Sequence, residues 1–190
     1  MGEEGVNGLS PSEVARRLGV KPPSIYKYFE SLMAIYDALF ERGQHANLDV
    51  MRDAMVGVEP GLDALATGLE GSCRWCLANS ALAQLMFWRP VPGFEPTPGA
   101  MAPSTEMVGL QRQALADAVA AGQLGPDADS DEALFVVSIF VSGLVGQAIA
   151  NDPGVPWGED RFSPLLPRLL GTLAALYPPK PTRRRSRPST

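Results

Sequence analysis

The sequence is poor in the residues that build metal, redox and disulfide sites. Its 190 residues include two cysteines, Cys73 and Cys76, and a single histidine, His45. Two cysteines do not make a disulfide framework, and one histidine falls short of the ligand set of a zinc site. No nucleophile paired with a base and no glycine-rich phosphate loop is visible. We therefore expect no cofactor, no metal, no enzymatic activity, and a location in the reducing cytoplasm.

Positive charge is also scarce. Lys and Arg number 16 against 21 Asp and Glu, which gives a net charge of -5. Proteins that bind polyanions usually carry a basic patch, so any nucleic-acid site on this chain must be local. No signal peptide is recognisable at the N-terminus. The most apolar stretch, residues 133–150, contains small residues and a Gln, which favours a buried or interface helix over a membrane span.

The two cysteines form a C-x-x-C pair. A redox site of this type needs a thiolate at a helix N-terminus, usually in a strand–helix context. Cys73 and Cys76 instead fall in the middle of a predicted helix. Buried structural thiols are the favoured interpretation, and a thiol-based sensor is the alternative.

Apolar residues recur at helical spacing along most of the chain, and no strand pattern or internal repeat is present. The fold class predicted is all-α. The stretches 89–103 and 151–162 are predicted to be loops because they are rich in Pro and Gly. The basic, proline-rich segment 179–190 is predicted to be a disordered tail. The predicted helices cover residues 11–18, 22–29, 31–56, 60–79, 80–88, 104–121, 131–151 and 163–176.

The first two predicted helices form a helix–turn–helix pattern. Ser10, Pro11 and Glu13 have the spacing of a capping box with proline at the first helical position. Gly19 is placed to end the first helix in a left-handed conformation. Ile25 and Phe29 lie four residues apart and share one face of the second helix. Two short helices joined by a tight turn that contains Gly are typical of a DNA-binding motif.

The stretch "LSPSEVARRLGVKPPSIYKYFES" resembles the DNA-binding domain of the TetR (tetracycline repressor) family. The resemblance implies a helix–turn–helix domain at residues 1–45, followed by a helical ligand-binding and dimerisation domain at 46–178. Only "MGEEGVNG" precedes Leu9, so the family's first helix is largely missing, through a misassigned start or a real truncation. Lys21 stands at the N-cap of the second helix in place of Ser or Thr. The residues that match the family pattern are Ala15, Gly19, Val20, Ser24, Ile25, Tyr26, Tyr28 and Phe29.

The resemblance also implies which residues face DNA. The helix "PPSIYKYF" would lie in the major groove and contact phosphates and base edges. For Tyr26 and Tyr28, packing against the following long helix is the alternative. The DNA-binding residues expected from the resemblance are Lys21, Pro22, Ser24, Tyr26, Lys27 and Tyr28.

The remaining helices are expected to bind a small effector and to form a homodimer through the last two. Large apolar side chains suit an apolar or aromatic effector, although aromatic residues at helical spacing are more often core. The chain is thus predicted to be a ligand-responsive transcriptional repressor that binds double-stranded operator DNA. The alternative is a small-molecule or protein-binding module that has lost DNA binding. The candidate ligand-binding residues are Trp75, Met86, Phe87, Trp88 and Met107.

Overall fold

The computed structural model of the chain describes residues 10–17 and 19–179. Within this part of the chain the secondary structure is helical and contains no strand, as the sequence predicts. The predicted disordered tail, apart from Pro179, lies outside the described residues. The helices are α1 (Pro11–Arg17), α2 (Pro22–Ile25), α3 (Leu32–Met55), α4 (Leu62–Ala78), α5 (Ser80–Trp88), α6 (Pro98–Ala120), α7 (Asp131–Asn151) and α8 (Leu166–Leu176).

Serine hydroxyls fix the starts of two long helices, α3 and α7. Ser31 accepts a hydrogen bond from the Ala34 N–H at 3.1 Å, at the start of α3. Ser130 does the same for Ala133 at the start of α7, which begins at the predicted residue 131. Each cap satisfies an N–H group that has no partner inside its helix.

The prediction for residues 89–103 is wrong in its second half, because α6 begins at Pro98. Thr97 caps this helix, and Pro98 occupies its first turn, where a missing N–H costs nothing. Pro103 then lies buried inside the helix, where it removes one intrahelical hydrogen bond. Counting prolines as breakers misplaced the start of α6, because the last two of them, Pro98 and Pro103, belong to the helix.

The start of the last helix also differs from the prediction. Residues 163–165 form a 3-10 turn, and α8 begins at Leu166. The Asp160 carboxylate, not the Ser163 hydroxyl, caps this turn by accepting the N–H groups of Phe162 and Ser163, both at 2.8 Å. Burial acts to raise the pKa of Asp160, but these hydrogen bonds outweigh it and hold the pKa below its ordinary value.

The long helix α3 joins the two halves of the molecule. Its first turns pack Ile35 against Ile25 and Ala15 of the helix–turn–helix. Its last turns place Met51 in the largest core cluster, which α4, α6, α7 and α8 complete. The domain boundary predicted between residues 45 and 46 therefore falls inside a continuous helix.

Helix α7 is apolar on more faces than this fold covers. It is long and apolar enough to cross a membrane by length and composition, and 33% of its most apolar window is buried. Val137, Leu144 and Val145 point into the core. Phe135 and Ile139, by contrast, are 65% and 66% exposed. The single chain leaves one apolar face of α7 uncovered.

Candidate nucleic-acid interface and helical groove

The helix–turn–helix is held by a small apolar cluster and a glycine turn. Ala15, Ile25 and Ile35 are buried together, one from each of the first three helices. Gly19 has φ +66°, a left-handed conformation that residues with a Cβ adopt at a cost. The Val20 N–H then bonds back to the Ala15 carbonyl at 2.9 Å and closes the end of α1. The turn sets the angle at which α2 leaves α1.

The second helix is shorter than the sequence predicts. It ends at Ile25, and residues 26–28 continue as a turn in which the N–H groups of Tyr28 and Phe29 both bond to the Ile25 carbonyl. Lys21 at its N-cap supplies no side-chain hydrogen bond. Weak capping and a run of aromatic residues with modest helix propensity both disfavour a longer helix in the isolated chain.

The turn after α2 presents its polar and aromatic side chains to solvent. Tyr26 is 53% exposed and Tyr28 is 83% exposed, and Lys27 between them is exposed as well. Phe29 faces inward and packs on the cluster around Ile25. For Tyr26 and Tyr28 the structure therefore does not show the alternative of packing against the long helix.

The other expected DNA-binding residues surround this turn. Lys21 is exposed, and Ser24 is half-buried. Pro22 lies in the first turn of α2, although its side chain is outside the described part of the structure. Lys21, Ser24, Tyr26, Lys27 and Tyr28 lie within one short stretch of chain, and we call these five residues the reading face. It offers a hydrogen-bonding and cationic contact area that suits phosphates and base edges.

The five candidate ligand-binding residues are spread over three packing environments. Met86 is buried among Tyr36, Phe40 and neighbouring side chains. Met107 packs at the edge of the largest core cluster, and Trp75 lies between two other clusters. Of the five, Trp88 alone lines the groove described below, and Phe87 contacts the Trp88 ring.

Trp88 lines an open groove between α5 and α7. The groove has a volume of about 490 Å³. Phe87 meets the Trp88 ring edge-on, with the centroids 5.7 Å apart, and does not line the groove itself. The residues that sequence reasoning missed are those that α7 contributes. The sequence signal for them is the run of small residues in α7, which by itself predicts only close helix packing. Besides Trp88, the groove is lined by Gln84 of α5 and by Ser142, Gly143, Gly146, Gln147, Ile149 and Ala150 of α7.

The C-x-x-C pair is buried, as predicted. Cys73 and Cys76 are free thiols in the C-terminal half of α4, at 0% and 1% exposure. Burial raises the pKa of Cys76 to about 12 and also raises the pKa of Cys73. The Asn47 amide lies 3.6 Å from the Cys76 Sγ. Such groups stay protonated near neutral pH, which disfavours the alternative of a thiol-based sensor.

The N-terminal segment carries the family likeness. Residues 1–39 match the family described as "Bacterial regulatory proteins, tetR family". This segment of the chain is therefore similar to the tetR family. The chain is also 28% identical over 131 residues to an HTH-type transcriptional regulator of Mycobacterium tuberculosis, an alignment that covers 64% of this chain and 53% of the relative. The chain thus spans about half the length of the curated relatives it matches.

Solved structures extend the likeness from this segment to the arrangement of helices along most of the chain. A protein of unknown function from Rhodococcus sp. RHA1 superposes with a TM-score of 0.74 at 23% identity, covering 92% of this chain and 88% of that one. The transcriptional regulator FadR from Bacillus subtilis, in complex with stearoyl-CoA, superposes with a TM-score of 0.69 at 16% identity, covering 90% of each chain. These likenesses establish the shared arrangement of helices and nothing about the ligand of this chain.

Proposed function

We propose that the chain is a ligand-responsive transcriptional repressor that binds double-stranded operator DNA as a homodimer. The observation that supports DNA binding most strongly is the exposure of Tyr26, Lys27 and Tyr28 on a helix–turn–helix of the tetR family. Large aromatic side chains gain free energy when buried, so two exposed tyrosines beside a lysine favour a partner surface at this point. The match of residues 1–39 to a family of regulatory proteins supports a cytoplasmic location and the absence of enzymatic activity.

The homodimer is proposed to form through α7 and α8. Phe135 and Ile139 on α7 and Leu176 on α8 expose 65%, 66% and 54% of their surfaces. A second copy related by a two-fold axis would cover both helices with the same surface from its partner. We expect Ile139→Asp to convert a dimer to a monomer in analytical ultracentrifugation, and Val108→Asp on exposed α6 to leave it dimeric. A wild-type chain that sediments as a monomer would contradict this interface.

The effector is proposed to be apolar or aromatic and to act through the helices that follow α3. The stearoyl-CoA complex of FadR shows that a fold of this kind holds a ligand with a long apolar part. In this chain a ligand that prefers one conformation would change the spacing of the two reading faces in the dimer. Its differential affinity for the two conformations sets the size of the response.

The reading face can be tested by fluorescence anisotropy on a labelled DNA fragment from upstream of the chain's own gene. Lys27→Ala should weaken specific binding and reduce the slope of log affinity against log salt by about 1, because one phosphate contact is lost. Tyr28→Ala should weaken binding by about 1 kcal/mol through a lost hydrogen bond and packing contact. Arg89→Ala removes one exposed positive charge far along the chain from the motif and serves as the matched control.

The control separates a local interface from general charge. If Lys27→Ala and Arg89→Ala change the DNA affinity and the salt slope equally, the assignment of DNA binding to the reading face is wrong. If the chain binds its upstream DNA no better than an unrelated fragment at moderate salt, the DNA-binding function is wrong and the helical module without DNA binding becomes the better description.

A further inference from the structure

A second open groove lies between α4 and α8, and we call it the α4–α8 groove. Its volume is about 330 Å³, which is enough to hold several side chains of a peptide. One wall carries a tryptophan that is only partly buried and two prolines that are exposed. The lining includes Ala66 and Glu70 of α4, Trp157 of the loop before α8, Pro164 of the 3-10 turn, and Pro167 and Leu170 of α8.

The α4–α8 groove lies on the side of α8 that faces away from the proposed homodimer interface. Pro167 lines the groove, whereas the exposed Leu176 belongs to that interface. The step from Pro167 to Leu176 makes about two and a half turns of an α-helix, so the two side chains point to opposite sides of α8. A partner that covers Leu176 therefore leaves the groove open.

The apolar lining of the groove suits a proline-rich segment. Such segments adopt the polyproline II conformation, which has no internal hydrogen bonds and docks in grooves lined by aromatic side chains. Trp157 flanked by Pro164 and Pro167 supplies a surface of this kind. The partial burial of Trp157 fixes the ring on one side and leaves part of it to contact a ligand.

The charge at the groove is negative. Glu70 is 47% exposed, and its Oε1 accepts a hydrogen bond from the Arg74 guanidinium at 2.6 Å. An exposed pair of this kind contributes little stability, so Glu70 can exchange Arg74 for another cation. Asp63 is exposed one turn before Ala66 on the same face of α4 and adds a second carboxylate. The groove thus favours a segment that combines proline with positive charge.

A segment of that composition follows α8 directly. Residues 180–190 contribute +5 to a chain whose net charge is -5, so residues 1–179 carry -10. This difference in charge favours contact between the segment and the rest of the chain. The segment contains no acidic residue, and its basic residues and prolines are Lys180, Pro181, Arg183, Arg184, Arg185, Arg187 and Pro188.

The end of α8 lies in acidic surroundings. The Gly125 N–H bonds to the Tyr177 carbonyl at 2.9 Å and holds this end beside the connection between α6 and α7. The Tyr177 hydroxyl donates to the Glu132 carboxylate at 3.4 Å. Burial first, and then the negative charges of Glu132 and Asp127, raise the pKa of Tyr177. The basic residues that follow therefore start next to carboxylates.

Residues 180–190 are long enough to return along α8 to the groove. An α-helix rises about 1.5 Å per residue, so Pro167 lies about 14 Å along the axis from Leu176. A polyproline II chain extends about 3.1 Å per residue, so Arg184 can lie about 16 Å from Pro179. The run of three arginines can thus reach the level of Pro167 and Glu70.

We propose that residues 180–190 dock in the α4–α8 groove of their own chain, with a proline packed on Trp157 and an arginine paired with Glu70. The inference does not depend on the proposed function. The composition of the segment disfavours folding by itself, and the groove supplies the apolar surface that the segment lacks. Docking also holds five positive charges against α4 and α8, where they are not free for nonspecific phosphate contacts.

Docking can be tested in the full-length chain with bimane, a small dye whose fluorescence tryptophan quenches on contact. Ser186→Cys places a reactive thiol among the arginines, and labelling is selective because Cys73 and Cys76 are buried. We expect the labelled chain to be dim. Trp157→Phe should restore the fluorescence while it keeps most of the packing. Trp88→Phe is the matched control and should leave the chain dim, because Trp88 lines the groove between α5 and α7.

Glu70→Gln tests the ion pair without changing the dye or its quencher. The variant should lower the ratio of docked to undocked chain about threefold, the effect of one partly exposed pair, and so raise the fluorescence. Higher salt should act in the same direction, because it screens the attraction. Glu41→Gln is the matched control, since Glu41 is 48% exposed and also pairs with a residue four positions further on, His45. It should leave the fluorescence unchanged.

Three results would overturn the docking. The first is a labelled chain as bright as its Trp157→Phe variant, and the second is an equal response to Glu70→Gln and Glu41→Gln. The third comes from mixing labelled Trp157→Phe chain with an excess of unlabelled wild-type chain. The mixture should stay bright, and quenching would place the segment in the groove of a second copy. Circular dichroism establishes that each variant is folded before its fluorescence is compared.

Discussion

Replacing Phe94 with alanine tests how the α5–α6 connection holds α3. Phe94 lies outside any helix, yet it is 6% exposed. Its ring meets Tyr36 at 5.9 Å and Phe40 at 6.0 Å between centroids, both on α3. Phe94→Ala removes this ring and leaves a cavity that rigid neighbouring helices fill poorly. We expect a loss of about 3–5 kcal/mol in the free energy of unfolding.

A matched phenylalanine makes the measurement specific. Phe87, at the end of α5, is 38% exposed and touches Trp88 edge-on. We expect Phe87→Ala to cost about 1 kcal/mol, less than Phe94→Ala, because the Phe87 side chain is already 38% exposed. Phe94→Leu keeps most of the buried volume and should cost about 1–2 kcal/mol.

The assay is equilibrium unfolding in urea, followed by far-ultraviolet circular dichroism at one fixed protein concentration. The fixed concentration matters because a dimer is stabilised by mass action. The reasoning is refuted if Phe94→Ala loses no more stability than Phe87→Ala. In that event the connection does not hold α3 in place.

Other predictions follow from single residues. Gly19→Ala should lower the free energy of unfolding by about 1 kcal/mol, because φ +66° strains any residue with a Cβ. A melting temperature as high as that of Gly171→Ala would contradict this. Ser130→Ala should cost about 1 kcal/mol through loss of the α7 cap, measured in urea, whereas an unchanged midpoint would show that the cap is dispensable. Because burial raises the pKa of Cys73 and Cys76 above the ordinary 9.0, both should react with a disulfide reagent at pH 8 only as the chain unfolds; rapid reaction of the native protein would oppose it. For the same reason the unfolding free energy should fall as pH rises above 9, since the unfolded thiols ionise there while the folded ones remain protonated.

Local signals in the sequence predict most helix positions correctly. Ser31 and Ser130 mark the starts of α3 and α7, and Gly122 follows the end of α6 with φ +71°. These signals work because capping and left-handed turns depend on residues a few positions apart. The start of α6 is misplaced because Pro98 and Pro103 are typical of a loop, whereas tertiary packing buries Pro103 inside α6.

The sequence predicts the candidate site only in part. The reading face follows from a compact pattern around Tyr26 and Tyr28, because all of it lies within one turn of chain. The ligand-binding candidates were chosen by residue type, and type does not distinguish Met86, which is buried, from Trp88, which is 44% exposed. The partners of Trp88 in the groove lie more than fifty residues away on α7.

The sequence by itself determined the all-helical class, the family pattern of the helix–turn–helix and the burial of the C-x-x-C thiols. Each depends on short-range periodicity or on a motif of adjacent residues. Tertiary structure alone decided which aromatic faces a groove, how Asp37 meets Thr97, and which face of α7 stays uncovered. These depend on how helices distant in sequence pack together, and packing is set by the shape of the whole core.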